Sequence, residues 1–385
     1  MKIIIPTFER IEWMPPTISM IESLAEMGHD IVYLTVYPDT FFEKNKYRER
    51  IRNVSLCSRD LTLQYRIPYK KVISGLLLRL DWLVKKMVSL RLNRVISSLM
   101  DDDSLLWVVN EMTVLLGGTR FLKNRSYAFT IYELHEKTFK NRSIERAAKH
   151  AKVTIVPEYC RGHIMKSRYR LEKDPLVLPN KTEIEQAETL SQKANEAIGK
   201  LESLRKDGQI SVLYMGGIGK ERPLEPVLEA IKDDAKFRLV VMGRESVYLQ
   251  ELTARYSGCF DYIGAFVPPE HIQVAAHAGI GLLMYVSINQ TQGLNAIFCA
   301  PNKLYEYTGQ GLPVIGNDIP GLRFPIEMNG IGKVADFTNK ESIKSALEAL
   351  YEDYEGYSNR AKDFHRQMDV KQIIQKVLNA VNSAG

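Results

Sequence analysis

Cysteine is scarce in this chain. There are four in 385 residues, Cys57, Cys160, Cys259 and Cys299, and they are spread so that no CxxC pair or metal-type cluster forms. That excludes a disulfide scaffold and suits a reducing cytoplasm. No histidine–carboxylate group has metal-ligand spacing, so neither a metal nor a cofactor is expected. Long apolar runs are also missing: nothing approaches the ~18 uncharged apolar residues of a membrane span. The apolar part of MKIIIPTFER is too short for a secretion signal. A composition of 45% hydrophobic and 25% charged residues has no disordered signature.

Acid is nearly absent from one region. Between Lys44 and Arg94 stand fourteen basic residues and only Glu49, Asp60 and Asp81, a net +11 in a chain whose total is +6. Such one-sided charge points to an anionic partner. YRIPYKKVISGLLLRLDWLVKKMVSLRLNRVISSL interleaves Leu, Val and Ile with Lys and Arg at helical spacing. That is the composition of an amphipathic helix on an anionic membrane surface, and equally of a buried helix pair with a solvated basic face. Aromatics are not interleaved as a stacking platform, which argues against nucleic acid.

What is present is alternation. KIII, DIVYLTV, SLLWVV, SYAFTIYE, KVTIVP and PLVLP read as buried strands with helical stretches between them, beginning with PPTISMIESLAEMG. A second series follows Gly208: ISVLYMGG, FRLVVMG, FDYIGAF, IGLLMY and LPVIGN. At this length two domains are expected. The pattern predicts an α/β chain of two doubly wound, Rossmann-like parallel-sheet domains facing a cleft, with a ligand at the carboxyl ends of the strands. Boundaries are expected at 1–185 for the first domain, 186–208 for a polar helical linker and 209–360 for the second domain. A terminal helix over 361–385 is expected to pack back on the first domain.

CAPNKLYEYTGQGLPVIGNDIPGL, from Cys299 to Leu322, carries the sharpest chemical signal. A helix starting near Pro301 would place Lys303 in its first turn, where a cation opposes the macrodipole at a cost of roughly 0.3–1 kcal/mol. A phosphate at that helix start would meet backbone N–H groups, the dipole and the lysine together. Three residues on, Glu306 shares the face and offers two acceptors suited to the hydroxyls of a ribose. A solvated Lys–Glu pair is the other reading of the same residues.

PNKLYEYTGQGLPVI resembles the donor-site signature of GT-B glycosyltransferases of family 4 (the group 1 transferases), in which a Glu precedes Gly by five residues and then x-Pro-Val. Glu306, Gly311, Pro313 and Val314 keep that spacing. The resemblance implies that Glu306 binds the ribose of a nucleotide sugar and that Lys303 meets its diphosphate, with Asn302 and Tyr307 beside them. Phe298 stands where many members have a sugar-contacting Glu. In VLYMGGIGKERPLEP the resemblance places Gly216 and Gly217 at the phosphates, with Arg222 as the surviving cation and Lys220 in reserve; Gly217 replaces a family arginine. Gly264, Ala265 and Phe266 would hold the base, and Asn295, in the loop SINQTQGLNA, the transferred sugar. His135, past an N-domain strand and flanked by Glu133 and Glu136, would meet a sugar hydroxyl or move a proton. Glu9, Arg10 and Trp13 are candidates for facing the acceptor, and Pro157, Glu158, Arg161 and Asn180 recur near the end of the family's first domain.

The resemblance thus implies a cytoplasmic, membrane-peripheral transferase, at the inner face of the cell membrane. It would move a sugar, with retention, from a nucleotide diphosphate donor (UDP-sugar favoured) to a glycan or lipid-linked acceptor in polysaccharide or glycoconjugate synthesis. Arg222, Lys303 and His135 would be its catalytic residues. The departures at Gly217 and Phe298 equally suit a non-catalytic subunit that binds glycan or supports a partner transferase, and a nucleotide-sugar epimerase would keep the same fold.

Overall fold

The computed structural model describes residues 1–36, 39–56, 74–135, 138–182, 188–285 and 293–382, of which 74–85 and 138–141 are described by backbone alone. Cys57, Glu136 and much of the basic stretch and of the 287–296 loop lie outside the described residues.

The chain divides into two compact units, residues 1–179 with 369–385, and 180–368. In unit 1 the elements run β1 (Lys2–Thr7), α1 (Pro15–Glu26), β2 (Asp30–Thr35), β3 (Ile51–Ser55), α2 (Ser74–Leu99), β4 (Ser104–Val109), α3 (Glu111–Gly117), β5 (Tyr127–Thr130), α4 (Thr138–His150), β6 (Val153–Val156), α5 (Tyr159–Tyr169) and β7 (Leu176–Val177). In unit 2 they run α6 (Gln192–Lys206), β8 (Ile210–Met215), α7 (Glu225–Ile231), β9 (Phe237–Met242), α8 (Val247–Arg255), β10 (Phe260–Gly264), α9 (Glu270–Ala275), β11 (Ile280–Leu283), α10 (Leu294–Ile297), α11 (Asn302–Gly309), β12 (Val314–Asn317), α12 (Pro320–Met328), β13 (Gly332–Ala335), α13 (Lys340–Glu352) and α14 (Tyr354–Gln367). A last helix, α15 (Val370–Asn382), returns to unit 1.

Both sheets are parallel, in the orders β3-β2-β1-β4-β5-β6-β7 and β10-β9-β8-β11-β12-β13. Strand order reverses at β1/β4 and at β8/β11, the switch points where loops leave in opposite directions and a crevice opens beyond the strand ends. Central strands are buried on both faces: Ile3, Ile4, Ile5, Leu106, Trp107 and Val108 in unit 1, and Val212, Leu213, Val240 and Leu282 in unit 2, are all 0% exposed. Helices on each face therefore close over them.

The described part of the expected linker, with α6, belongs to unit 2. Ala194, Ala197, Leu201 and Leu204 make an apolar stripe on α6 that packs with Leu213, Ile263 and Val274 of unit 2. The second break also falls later than residue 360. Helix α14 stays with unit 2, where Tyr305 and Phe364 stack with ring centroids 5.8 Å apart, and only α15 joins unit 1. It does so through Val370, Ile374, Val377, Leu378 and Val381, in one cluster with Met20, Leu24 and Ala128.

Candidate functional site

At the unit 2 switch point β8 ends at Met215, and Gly216 follows with φ +125, a conformation open to glycine at little cost. Its N–H donates to the Met242 carbonyl at 2.9 Å. A Cβ on Gly216 would stand 2.8 Å from Cε and 2.9 Å from Nζ of Lys303, so the missing side chain is what admits the lysine. Helix α11 begins at Asn302 with Pro301 as its cap residue and no side chain capping its first turn; Pro301 lies just before the helix rather than as its first residue. Asn180 Nδ2 donates to the Ala300 carbonyl at 2.9 Å and so fixes the approach to the helix.

Two cations meet here around one aromatic ring. The Lys303 ammonium lies 5.4 Å from the ring centroids of both Tyr214 and Tyr285, and the Arg222 guanidinium lies 5.0 Å from that of Tyr285. Such contacts contribute about 0.5–2 kcal/mol each, less than a buried charge loses in leaving water. Tyr214 is oriented by its hydroxyl, which donates to the Gly217 carbonyl at 2.7 Å. Burial first, and Arg222's charge second, push Lys303 down to about 8, with Glu306 partly opposing the shift. Among the described residues neither Lys303 nor Arg222 forms a salt bridge, and Glu306, one turn along α11, is half-buried and forms none either. For Arg222 burial is outweighed by Tyr214, Tyr285 and Glu221, which hold it above its ordinary range. Two like charges with no carboxylate in ion-pair contact among the described residues can receive an anion.

The other expected positions fall in several places. Gly217 and Asn302 border this site. Gly264, φ +105, and the half-buried Phe266 lie at the end of β10, where Lys193 of α6 covers them, its ammonium 5.8 Å from the Phe266 centroid. Asn295 and Phe298 are half-buried in and just after α10. Lys220 points elsewhere and pairs with Glu251 at 2.8 Å. Tyr307 is corrected outright: it is 0% exposed, and its hydroxyl donates to the Leu213 carbonyl at 2.9 Å and accepts from Met215 N–H at 3.1 Å. It ties α11 to β8 and has no atom left for a ligand. Tyr285 and Lys193 were missed. The first was read as the end of an apolar strand, the second as part of a linker.

The unit 1 switch point is built on acid. Asn110, at φ 67, caps α3 by accepting from Met112 N–H at 2.8 Å, which holds Glu111 at the carboxyl end of β4. Glu111 is 1% exposed. One of its oxygens lies 3.1 Å from His135 Nε2, and the other accepts from Tyr132 N–H at 3.1 Å. The carboxylate needs a donor, so Nε2 carries the hydrogen and Nδ1 is left as an acceptor. Of the two glutamates that flank His135 in sequence, Glu133 lies 3.8 Å from Arg161 and Glu136 is outside the described residues; the carboxylate on the ring is Glu111. Glu9, after β1, is held above the ordinary carboxylate range by burial first and then by the charges of Glu111 and Glu133. Trp13 is 76% exposed with Arg10 5.9 Å from its ring. Glu158 caps α5 through Cys160 and Arg161 N–H, both at 2.8 Å, and the buried Arg161 donates to the Tyr132 carbonyl, so both are structural.

Among the described residues no group of three His, Cys, Asp or Glu side chains is placed to hold a metal ion, and no helix is long and apolar enough to cross a membrane.

Two parallel Rossmann-like sheets in one chain, with the last helix returned to the first unit, define the GT-B class of fold. Solved structures agree on this over the full length. The chain is similar to sucrose-phosphate synthase from Thermosynechococcus elongatus, with a TM-score of 0.69 and 13% identity over 100% of both chains. It is similar to Anabaena HepE in complex with UDP, at 0.66 and 12% over 100% of both, and to a glycosyltransferase from Rickettsia africae, at 0.69 and 12% over 99% of this chain and 98% of that one. No family model matches the chain, and no curated protein matches it in sequence.

Proposed function

We propose that the chain is a glycosyltransferase that uses a nucleotide diphosphate sugar, of the family 4 type. The observation that carries this is the pair Lys303 and Arg222, brought together at the unit 2 switch point with no salt bridge to either among the described residues. UDP and UDP-glucose complexes among structures of the same fold support a UDP-sugar as donor.

In this reading the diphosphate lies on Gly216, Gly217 and the start of α11, where Lys303 and Arg222 hold its charge, and Glu306 accepts from the ribose hydroxyls. The base lies toward Gly264 and Phe266, beside Lys193, and Asn295 serves the sugar. As the anomeric C–O bond to phosphate breaks, negative charge grows on the departing oxygen, which fixed cations in a dry site stabilise more than they stabilise the ground state. For a retaining transfer that oxygen takes the proton of the acceptor hydroxyl, whose oxygen forms the new bond on the same face. His135, with Nδ1 available, is proposed to accept from a sugar hydroxyl.

The acceptor proposed is a glycan or lipid-linked intermediate of polysaccharide or glycoconjugate synthesis. Lys86, Met87, Leu90, Arg91 and Arg94 are exposed along α2, which supports an enzyme peripheral to the inner face of an anionic membrane. A thermal-shift panel of UDP-, GDP- and ADP-sugars tests the donor; stabilisation by none of them contradicts the reading. The half-buried Phe298, where many family members have a sugar-contacting Glu, favours a second reading, a non-catalytic subunit that binds glycan or supports a partner transferase. Slow hydrolysis of the donor by the purified chain separates the two, since an inert subunit shows none.

A further inference from the structure

Unit 1 carries a second concave surface on the opposite rim of its sheet, at the start of β5 and the end of α4. It is an open cavity of about 690 Å3 lined by Arg120, Lys123, Arg125, Arg146 and His150, with Tyr127 at its base. No carboxylate lines it. Its size falls within the roughly 300–1,000 Å3 of small-molecule sites. Two of the basic side chains have a local explanation: Arg146 and His150 lie toward the carboxyl end of α4, where cations complement the helix dipole, and His150 Nδ1 lies 2.8 Å from the Arg146 carbonyl. Arg125 is also committed, donating to Asn93 at 3.1 Å and Ser97 at 2.6 Å, both on α2, and to the Phe121 carbonyl. Arg120 and Lys123 belong to a different element, the turn after α3, yet line the same space. Both are exposed, and among the described residues neither they nor Arg146 form a salt bridge. Five basic side chains from two elements converge where nothing acidic opposes them.

We propose that this cavity binds a phosphate-bearing anion, either a free diphosphate or the phosphate headgroup of a lipid. Through Asn93 and Ser97 it adjoins the exposed basic face of α2, and it lies at the strand ends opposite Glu111 and His135. It does not depend on the nucleotide-sugar reading of unit 2.

The test compares Arg120→Ser/Lys123→Ser/Arg146→Ser with a control that removes equal charge from exposed positions outside the cavity, Arg168→Ser/Lys173→Ser/Lys376→Ser. Both are made in a Lys303→Ala/Arg222→Ala background, so that diphosphate held by unit 2 does not contribute. Inorganic diphosphate is titrated by calorimetry, and phosphatidylcholine vesicles doped with phosphatidic acid are sedimented with the protein. Salt is kept near physiological strength, where exposed charges are screened within about 8 Å. The cavity variant is expected to weaken binding at least tenfold while the control stays within twofold. A loss for diphosphate assigns a free phosphate compound, and a loss confined to vesicles assigns a lipid headgroup. Equal behaviour of variant and control with both probes overturns the proposal. Lys123→Glu alone, at an exposed position, repeats the comparison with a single substitution. A failure of the unit 2 reading would show separately, as no change in diphosphate binding on making the background.

Discussion

The two switch points share a topology and oppose each other in chemistry. At β1/β4 the strand ends present Glu9, Glu111 and His135, with both oxygens of Glu111 committed to hydrogen bonds. At β8/β11 they present Lys303 and Arg222, sharing one tyrosine ring and forming no salt bridge among the described residues. The first pairs an acid with an imidazole; the second sets two like charges together. A doubly wound sheet supplies a crevice, and the side chains at its strand ends decide what the crevice accepts.

Gly216→Val should break the contrast most completely. The new side chain would occupy the space of the Lys303 ammonium, and a positive φ at a non-glycine residue costs about 1–3 kcal/mol. Calorimetry with UDP-glucose should show affinity reduced by more than ~100-fold, about 2.7 kcal/mol. Lys303→Ala and Glu306→Ala come next, each expected to weaken binding by ~1.5–3 kcal/mol through loss of a charged hydrogen bond. Unaltered affinity in both would remove the anion site. In unit 1, Glu111→Ala should lower folding stability by ~1–3 kcal/mol, because Tyr132 N–H and His135 lose their acceptor. Affinity for UDP, which lacks the sugar that His135 is proposed to meet, should be unchanged in that variant, and a large loss would contradict the assignment of the diphosphate to unit 2. The smallest effect belongs to Tyr307→Phe, about 1 kcal/mol of stability measured by denaturant melts, with donor binding unchanged.

Most of the strands, and the doubly wound parallel architecture, were legible in the sequence. Interior strands such as KIII, SLLWVV and FRLVVM announce themselves because both faces are buried. Two of the four outermost strands, IRNVS and GKVA, do not, since they are short and carry few apolar residues, whereas the edge strands within PLVLP and FDYIGAF were read. Helix α6 was expected as a helix, but its polar composition concealed the stripe of Ala194, Ala197, Leu201 and Leu204 that packs it on unit 2. Lys303 was singled out by a local signal, a cation in a first helical turn, whereas Gly216 and Arg222 were singled out by the family resemblance. Glu111 and His135 stand 24 positions apart, and Tyr285 meets Lys303 only through the fold, so neither partner could be read from spacing. Tyr307 was misassigned because neighbouring positions on a short helix face opposite ways, and the buried one was taken for the exposed one.

The central claim is that Lys303 is a desolvated cation awaiting an anion. With its ammonium pushed down to about 8, the charged form dominates below that pH and is lost above it. UDP-glucose affinity should therefore hold from neutrality to about pH 7.5 and fall as pH rises through 8, while Lys303→Met binds weakly with no such fall. Bound donor should in turn raise the lysine's pKa, so binding near pH 8 takes up a fraction of a proton, detectable as a calorimetric heat that depends on the buffer. Wild-type affinity that is flat from pH 7 to 9.5 and equal to that of Lys303→Met would contradict the account.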